Sequence, residues 1–532
     1  MTKFFNYYNS LCTGENSPNT FSFDPYMFAI KDMLLLELAQ IVFYIEKIDE
    51  LGSDMSLYRD KVIEFISVLI VNLDFKRESF FIIVEDLYEN KSNLQQLYLS
   101  LCDEKNITPD KLNFKEFNLS NKESILKALN EHEKNISGFE STLPHNKKIL
   151  YQIMVNLVLN ACNCLIDLKN YGYDFVEAKH EVLKLFNVSN SPSLNESEWI
   201  RKIKEFAKCN YKIMKKLDSV ISEKYGTPEK TELLFQIKKG KSILVSGYNF
   251  LDLEKILRET KNLDINIYTH HEMINAFKYP LFKSYKNLVS HYQRSNNNFA
   301  LDFASFPGPI FISRTSSAKI DVIRGQIYTS AKYPPFGIGK IENDDFSSII
   351  EYALKSKGFE EESFISNISI GYDNDEIKNK IDEIISLFNR KEISHISIIG
   401  LFDKMVESHP YINSFIQKIP DDCFVISFSK SLENEKIWSP LPYFDLSLLY
   451  FILEKLIEKI DEPSKNISVF HLDCNSSIIP HLFNLIHLGL SKLFLGSCCP
   501  NILNPLIIDG LKNLFSVSEI STPKDDIKQI IK

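Results

Sequence analysis

The sequence predicts a multidomain α/β protein in which a helical region comes first and parallel β-sheets follow. Two observations predict this class. Over residues 1–215 apolar side chains recur at helical spacing, and from about residue 240 short apolar runs alternate with helical patterns. The chain has 532 residues, and at roughly 100–200 residues per domain it has room for about three domains.

The helical region is clearest in two segments, Met27 to Ile48 and Lys148 to Leu168, whose apolar residues follow the helical period. The whole chain has only 17 glycines, and β-branched alternation is weak in this region, so long helices are expected to pack in bundles. The apolar run from Phe65 to Leu73 is interrupted by Ser67 and Asn72, which favours a buried core helix.

Strand and helix patterns alternate in the second half. The run Ser242 to Gly247 predicts a strand, Leu251 to Arg258 a helix, and Ile265 to Tyr268 the next strand. A second series has predicted strands at Ile396 to Gly400, Cys423 to Phe428, Ile467 to Leu472 and Lys492 to Gly496, and a helix over Leu446 to Ile460. Strands that alternate with helices favour parallel sheets.

The composition is that of an ordinary globular protein, with 44% apolar and 25% charged residues. The formal net charge of -9 disfavours nucleic acid as a partner. The opening segment has no apolar core of signal-peptide length, and no stretch reaches about 18 uninterrupted apolar residues, so no membrane span is expected. Nine cysteines without a CxxC pair predict free thiols in a reducing, cytoplasmic setting.

Ligands of open α/β sheets bind at the carboxyl ends of the strands. In this sequence that rule selects Tyr248, Phe402, Ser429, Lys430 and Asp473. These residues are aromatic or ordinary polar ones, so spacing alone predicts no group of His, Cys and carboxylate side chains there.

Four segments in the middle of the chain carry a resemblance to a known family. They are SGYNFLDLEKIL, INIYTHHEM, FASFPGPIFIS and YPPFGIGKI. In order and spacing they resemble blocks of the hybrid cluster proteins (the prismane or hydroxylamine reductase family), in which a GHD turn precedes a helix, a THGEM-like turn follows a strand, and FPGPI precedes another strand. The segments FDPYMFAIKDMLLLELAQIVFYIEKI and SIIPHLFNLIHLGLSKLFLGSCCPNILNP resemble the two ends of the same family.

The resemblance implies an N-terminal helical-bundle domain followed by two Rossmann-like α/β domains with parallel sheets. The corresponding domain limits are 1–215, 216–365 and 366–532. It also implies a hybrid iron–sulfur–oxygen cluster between the α/β domains, and reduction of hydroxylamine or nitric oxide with electrons from an N-terminal cubane cluster. Iron–sulfur clusters are held mainly by Cys thiolates, so each ligand position can be checked in the sequence.

The family's hybrid cluster requires one His, two Glu and four Cys. By resemblance, the His of the GHD turn is replaced by Tyr248, and the Glu of the THGEM turn is kept as Glu272. The Cys positions fall at Ser316, Phe402, Lys430 and Tyr443, and the last Glu position falls at Asn475. We call these seven residues the ancestral cluster positions, and only Glu272 keeps a family ligand.

The positions of the N-terminal cubane are changed as well. Asn6 and Asn9 stand where the family has a CxxC pair, and Phe21 stands where it has a later Cys. Cys12 alone cannot hold a cubane cluster.

The replaced ligands suggest how the site is filled. Empty cavities cost stability in densely packed interiors, so we expect the rings of Tyr248 and Tyr443 to fill the space of the lost cluster. We also expect Lys430 to pair with Glu272 or with a neighbouring carboxylate.

His270 and His271 beside Glu272 suggest a metal site, whose other donors would be Asp403, Asp445 and Cys474. Neighbouring residues on a strand point to opposite faces, so the two imidazoles are not expected to share one ion. A turn inherited from the ancestral fold is the favoured interpretation.

We interpret the chain as a degenerate hybrid-cluster-like protein without its cofactors, non-catalytic and retained for binding or assembly. Its partner would be an unknown protein or a second copy of itself, with neither nucleic acid nor a membrane involved, in the cytoplasm. The alternative is an enzyme: a hydroxylamine or nitric oxide reductase with a remodelled iron or other metal site, or another activity that uses Cys474, Cys498 and Cys499.

Overall fold

The computed structural model describes residues 25–68, 77–111, 117–142, 144–189, 194–292, 299–313, 326–332, 334, 337–401, 410–429, 435–441, 445–472, 478–496 and 505–531. These residues form two compact units. The helical unit lies within residues 22–217 and 331–338, and the α/β unit lies within residues 218–330 and 339–532. The predicted domain limits at 216 and 366 stay a prediction.

The helical unit is built from long helices. They are α1 Pro25–Glu50, α2 Ser56–Val68, α3 Arg77–Glu104, α4 Lys122–Thr142, α5 His145–Asn170, α6 Val176–Ser189 and α7 Glu196–Tyr225, of which α7 belongs to this unit up to Leu217. In α1 every residue from Met33 to Val42 is buried, so this helix is covered on all its faces. It packs against α2, α3, α4 and α6, which makes it the central helix of the described bundle.

One described helix is long and apolar enough to cross a membrane, the segment Asn146–Asn170 within α5. Half of its apolar window is buried inside the structure, where α5 packs against α2 and α6. This burial is typical of the core helix of a bundle.

The α/β unit alternates strands and helices. Its strands are β1 Thr231–Ile237, β2 Lys241–Ser246, β3 Ile265–His270, β4 Leu288–His291, β5 Ile310–Ile312, β6 Ile327–Thr329, β7 Gly339–Lys340, β8 Ser363–Ile370, β9 His395–Leu401, β10 Cys423–Ser427, β11 Ile437–Trp438, β12 Ile467–His471, β13 Lys492–Leu495 and β14 Ser518–Glu519. Its α-helices are α8 Phe250–Glu259, α9 Pro280–Lys283, α10 Phe299–Ser305, α11 Ser347–Lys355, α12 Asn374–Asn389, α13 Pro410–Lys418, α14 Leu446–Lys459, α15 Pro463–Asn466, α16 Ile478–His487, α17 Pro505–Phe515 and α18 Pro523–Ile531. A 3₁₀ helix spans His271–Lys278.

Two six-stranded parallel sheets organise this unit. The first has the order β4-β3-β2-β5-β6-β7 and the second has the order β11-β10-β9-β12-β13-β14. Counted along the chain within each sheet, both orders read 3-2-1-4-5-6, which is the Rossmann order. The predicted fold class, a helical bundle followed by Rossmann-like α/β folds with parallel sheets, is confirmed.

The Rossmann order fixes where each sheet offers a ligand crevice. The strand order reverses between β2 and β5 in the first sheet and between β9 and β12 in the second. Crevices open at the carboxyl ends of the strands at such a reversal. The central strands β2 and β9 are almost entirely buried, as expected for strands covered on both faces.

A two-stranded antiparallel ribbon, which the sequence analysis did not predict, lies beside the first sheet. It pairs β1 with β8, from Thr231 opposite Ile370 to Ile237 opposite Ser363. The hydroxyl of Ser290 in β4 donates to the Leu234 carbonyl and accepts from the Gln236 amide, and these bonds attach the ribbon to the edge of the sheet.

The FPGP segment before β5 requires a glycine. A Cβ atom on Gly308 would lie 2.0 Å from the carbonyl oxygen of Ser242, a backbone atom of the neighbouring β2. We expect Gly308→Ala to lower the free energy of unfolding by about 1–3 kcal/mol, because the turn must move away from the sheet. Thermal unfolding would measure this, with Ala304→Ser at an exposed position nearby as the control. Equal stability of the two variants would contradict the expectation.

Candidate functional site

The candidate site lies at the carboxyl end of the first sheet, where β2 and β5 diverge. The turn after β2 passes very close to the end of β5, because a Cβ atom on Gly247 would lie 1.9 Å from the Ser313 hydroxyl oxygen. Gly247 has a φ of +120°, which a side chain would strain. The next residue, Tyr248, donates its backbone N–H to that hydroxyl at 3.2 Å.

Tyr248 is held between the turn and the start of α8. Asn249 caps this helix by accepting the Leu251 amide at 2.9 Å, which fixes the direction in which the chain leaves β2. The Tyr248 residue is 40% exposed, and its hydroxyl donates a hydrogen bond to Oε1 of Glu272. The two ancestral cluster positions that the structure describes are therefore in direct contact.

Glu272 follows β3 in the first turn of the 3₁₀ helix. Its second carboxylate oxygen, Oε2, is buried and faces Nδ1 of His271. The imidazole of His271 also faces the Tyr248 ring edge-on, with 6.4 Å between ring centroids. Both Tyr248 and His271 therefore lie against the carboxylate of Glu272. We call these three residues the Tyr–His–Glu cluster.

The backbone of His271 is in the left-handed region, with a φ of +57°. This conformation destabilises a residue with a Cβ atom by about 1–2 kcal/mol, whereas glycine adopts it without that cost. The family's THGEM-like turn has glycine at this position, so the substitution by His carries a cost in stability.

His270 points away from the Tyr–His–Glu cluster into the core of the sheet. Its Nδ1 lies 3.0 Å from the Ser246 hydroxyl and its Nε2 lies 3.4 Å from Oδ2 of Asp302. Burial lowers the pKa of His270, although Asp302 acts in the opposite direction. All three side chains are buried, so this Ser–His–Asp arrangement has no access to a substrate and serves as a polar core network.

The other five ancestral cluster positions lie outside the described residues. They are Ser316, Phe402, Lys430, Tyr443 and Asn475. In the sequence, Phe402 directly follows β9, and Asn475 comes four residues after β12. The predicted ring filling by Tyr443 and the predicted pairing of Lys430 with Glu272 stay predictions.

Asp445, which the sequence analysis named as a possible metal donor, is engaged elsewhere. It accepts the Leu448 amide at the start of α14 and forms an ion pair of 2.6 Å with Lys278. Asp403 and Cys474, the other two donors of that hypothesis, lie outside the described residues. Within the described ranges no three His, Cys, Asp or Glu side chains are grouped to hold a metal ion.

The described cysteines, none of which is in a disulfide bond, are Cys102, Cys162, Cys164, Cys209 and Cys423. Burial raises the pKa of Cys162 well above its ordinary value, and burial also raises the pKa of Cys423 to about 12. Neutral buried thiols are unreactive. Cys12, Cys498 and Cys499 lie outside the described residues.

Comparison with known proteins identifies relatives over most of the chain. The model of the Prismane/CO dehydrogenase family matches residues 25–429. A hydroxylamine reductase of Methanocella arvoryzae is 27% identical over 355 residues, which cover 64% of this chain and 65% of that protein. A hydroxylamine reductase of Escherichia fergusonii is 29% identical over 348 residues, 62% of each chain. The matches span just under two thirds of these relatives' length.

Among solved structures, an alpha subunit of acetyl-CoA synthase/carbon monoxide dehydrogenase aligns over 98% of this chain and 84% of its own. The identity is 11% and the TM-score is 0.47, and no conclusion about function follows from a similarity at this level. The family match, in contrast, covers well over half of the chain. The resemblance to hybrid cluster proteins is confirmed, and the chain belongs to the Prismane/CO dehydrogenase family.

Proposed function

We propose that this chain is a member of the family that holds neither the hybrid cluster nor the cubane cluster, and that it is retained for binding or assembly instead of reduction. The observation that carries the proposal is the hydrogen bond from Tyr248 to Glu272. A phenol stands where the family has a ligating imidazole, and it occupies an oxygen of the one ligand that is kept.

The chemistry of the remaining ancestral cluster positions supports the same proposal. Four thiolate positions are taken by Ser316, Phe402, Lys430 and Tyr443. Phenylalanine has no donor atom, and lysine brings a positive charge in place of a negative thiolate. Since iron–sulfur clusters depend on thiolate ligands, this residue set does not fit the family's cofactor.

The proposed setting follows from composition. A net charge of -9 argues against nucleic acid as a partner. The described cysteines form no disulfide bond, which argues for a reducing compartment, and we propose the cytoplasm. The partner would be a protein, either a second copy of this chain or another component of an assembly.

A second candidate function is a hydroxylamine or nitric oxide reductase activity at a remodelled metal site. The observation that favours it is the contact of His271 with Glu272, which places an imidazole beside a carboxylate at the ancestral site. Relatives named hydroxylamine reductase support the reaction class.

Iron and acid-labile sulfide content, measured on protein purified without oxygen, tests the proposal. We expect neither element at stoichiometric levels and no sulfide-to-iron charge-transfer bands in the visible spectrum. A hydroxylamine reductase relative, purified in parallel, is the positive control for cluster survival. Stoichiometric iron together with sulfide would overturn the proposal, and reductase assays would then decide for the second candidate.

A further inference from the structure

We propose that the outer edge of strand β8 binds the same edge of a second copy of this chain, so that two β1–β8 ribbons join into one four-stranded antiparallel sheet. This inference rests on the proposed function in binding or assembly, and it names a second copy as the partner. The surface contains no residue of the Tyr–His–Glu cluster and no ancestral cluster position.

Strand β8 is the outer strand of its ribbon. It pairs along one side with β1, and the Ser290 hydroxyl attaches β1, not β8, to the first sheet. In the described part of the chain no strand pairs with the other side of β8. The backbone N–H and C=O groups on that side need hydrogen-bond partners, which makes such an edge a template for a further strand.

The outer edge of β8 is open to solvent. Every residue from Glu360 to Asn367 is exposed, whereas β1 alternates buried with exposed or half-buried positions. The large side chains of Phe364 and Ile365 are 65% and 59% exposed, and Leu234 on the adjacent β1 is 43% exposed. Exposed apolar residues that lie together, unlike scattered single ones, are typical of interaction surfaces.

The side chains of β8 do not protect it from pairing. Protected edge strands carry lysine, proline or inward-pointing charges. The sequence of β8, SFISNISI, has no proline and no charged residue, and its isoleucines favour a strand. A bulge at Ile365 interrupts the ladder with β1, but the inserted residue is an exposed isoleucine instead of a charge. The edge is therefore able to accept a strand.

The distribution of charge fits a second copy in the antiparallel direction. Because β8 is uncharged, it meets its own copy without burying an unpaired charge. Glu360, Glu361 and Glu362 directly precede the strand, so parallel pairing would bring like charges together. Antiparallel pairing centred on Ser366 places Glu362 of one copy opposite the uncharged Ile370 of the other. The Glu362 residues of the two copies are then about 27 Å apart along the strands, well beyond the screening length of about 8 Å at physiological ionic strength.

The size of the surface predicts a weak dimer. Pairing along the eight residues of β8 buries on the order of 1,000 Å² in total, at the low end of specific interfaces. We expect a dissociation constant of about 1–100 µM for an interface of that class. Pairing converts two ribbons that are marginal as two-stranded sheets into one four-stranded sheet. Because each chain uses its β8 edge in the pair, association stops at two copies.

Sedimentation velocity of the full chain at increasing concentration measures the dimer. We expect a monomer–dimer equilibrium in the parent. Ile365→Glu places a carboxylate of each copy beside the two-fold axis and should weaken the dimer by at least about 10-fold, because like charges meet in the interface. Leu354→Glu, which adds the same charge at an exposed position on α11, is the control and should dimerise like the parent. Both positions are exposed, so both variants should keep the circular dichroism spectrum of the parent.

A disulfide at the two-fold axis tests the antiparallel geometry. Residues opposite each other in an antiparallel pair have Cα atoms about 4.5–5.5 Å apart, a separation that a disulfide bridges. Mild oxidation of Ser366→Cys should therefore give a covalent dimer. Ser363→Cys, at an exposed position of the same strand, is the control, because the two copies of this residue would lie about 20 Å apart. The oxidised parent reports any cross-linking through the native cysteines.

The outcomes separate this inference from the proposed function. A dimer that Ile365→Glu disrupts and Ser366→Cys traps, in protein without iron and sulfide, supports both. The inference is overturned if the parent stays monomeric, if Ile365→Glu dimerises like the parent, or if Ser363→Cys cross-links as well as Ser366→Cys. Each of these results leaves the loss of the clusters intact. The same β8 dimer in protein with stoichiometric iron and sulfide supports the interface and overturns the proposed function.

Discussion

Replacing Lys278 with methionine is expected to lower the free energy of unfolding by about 3–5 kcal/mol, the cost of leaving a buried charge without its partner. Lys278 ends the 3₁₀ helix after β3, and its Nζ lies 2.6 Å from Oδ2 of Asp445. The two side chains are only 4% and 2% exposed. Methionine matches the length of the lysine side chain, so the change removes charge with little change in volume.

The surroundings of the Lys278–Asp445 pair explain why Lys278→Met should lower the free energy of unfolding so much. Asp445 also caps α14 through the Leu448 amide, so its carboxylate cannot turn towards solvent without exposing the helix end. The rings of Tyr279 and Tyr372 lie 5.4 and 5.8 Å from the lysine Nζ. Burial raises the pKa of Tyr279 to about 12, so its ring stays neutral and offers no compensating charge.

Two further variants give this prediction its controls. Lys230→Met removes one partner of an exposed pair, with side chains 58% and 64% exposed, and should cost at most about 1 kcal/mol. The double variant Lys278→Met with Asp445→Asn should be more stable than Lys278→Met alone, because asparagine still caps α14 without a buried charge. Denaturant unfolding followed by circular dichroism measures all three. The prediction fails if Lys278→Met costs no more than Lys230→Met.

Long strands of this fold could be predicted from the sequence, and very short strands could not. Strand β2 was predicted at Ser242 to Gly247 and is observed at Lys241–Ser246, because a buried parallel strand is a continuous apolar run between turns. Strand β7 has only two residues, Gly339 and Lys340, and therefore carries no pattern of its own. Such short edge strands form because the neighbouring strand presents backbone N–H and C=O groups that need hydrogen-bond partners.

The candidate site was predictable only in part, for a related reason. Tyr248 follows a strand that the sequence predicted, and the resemblance to a family identified Glu272. Lys278 and Asp445 are 167 residues apart, and no local pattern indicates that they meet. The direction of the His271 side chain depends on a left-handed backbone, which sequence periodicity does not report.

Acidification below about pH 6.5 is expected to destabilise the α/β unit steeply, because burial lowers the pKa of four of its histidines, His270 among them. Burial lowers the pKa of His395 to about 4, with Lys492 adding to the effect. Burial likewise lowers the pKa of His481 to about 3 and that of His471 well below its usual value. The hydrogen bonds around His481 are compatible with a neutral ring: the Tyr450 hydroxyl accepts from Asn484 and lies 2.7 Å from Nδ1 of His481, to which it can donate its proton.

The sign of the pH effect follows from proton binding. Below the unfolded pKa of about 6.5 the unfolded chain binds a proton at each histidine and the folded chain does not, so stability falls as the pH falls. The loss is about 1.4 kcal/mol per pH unit for each histidine, or about 2 kcal/mol each between pH 6.5 and pH 5. Carboxylates whose pKa is lowered in the folded state, such as Asp373, stop stabilising the fold only below pH 5.

Unfolding free energies at pH 7, 6 and 5, compared between variants, test this mechanism. His481→Leu removes one titrating group, so the loss of stability between pH 7 and pH 5 should shrink by about 2 kcal/mol. At pH 7 the same variant should be less stable than the parent by about 1 kcal/mol, because the Tyr450 hydroxyl loses its hydrogen bond to His481. His180→Ala, which removes an exposed histidine, should leave the pH dependence as it is. If His481→Leu keeps the slope of the parent, His481 is not an origin of the pH dependence.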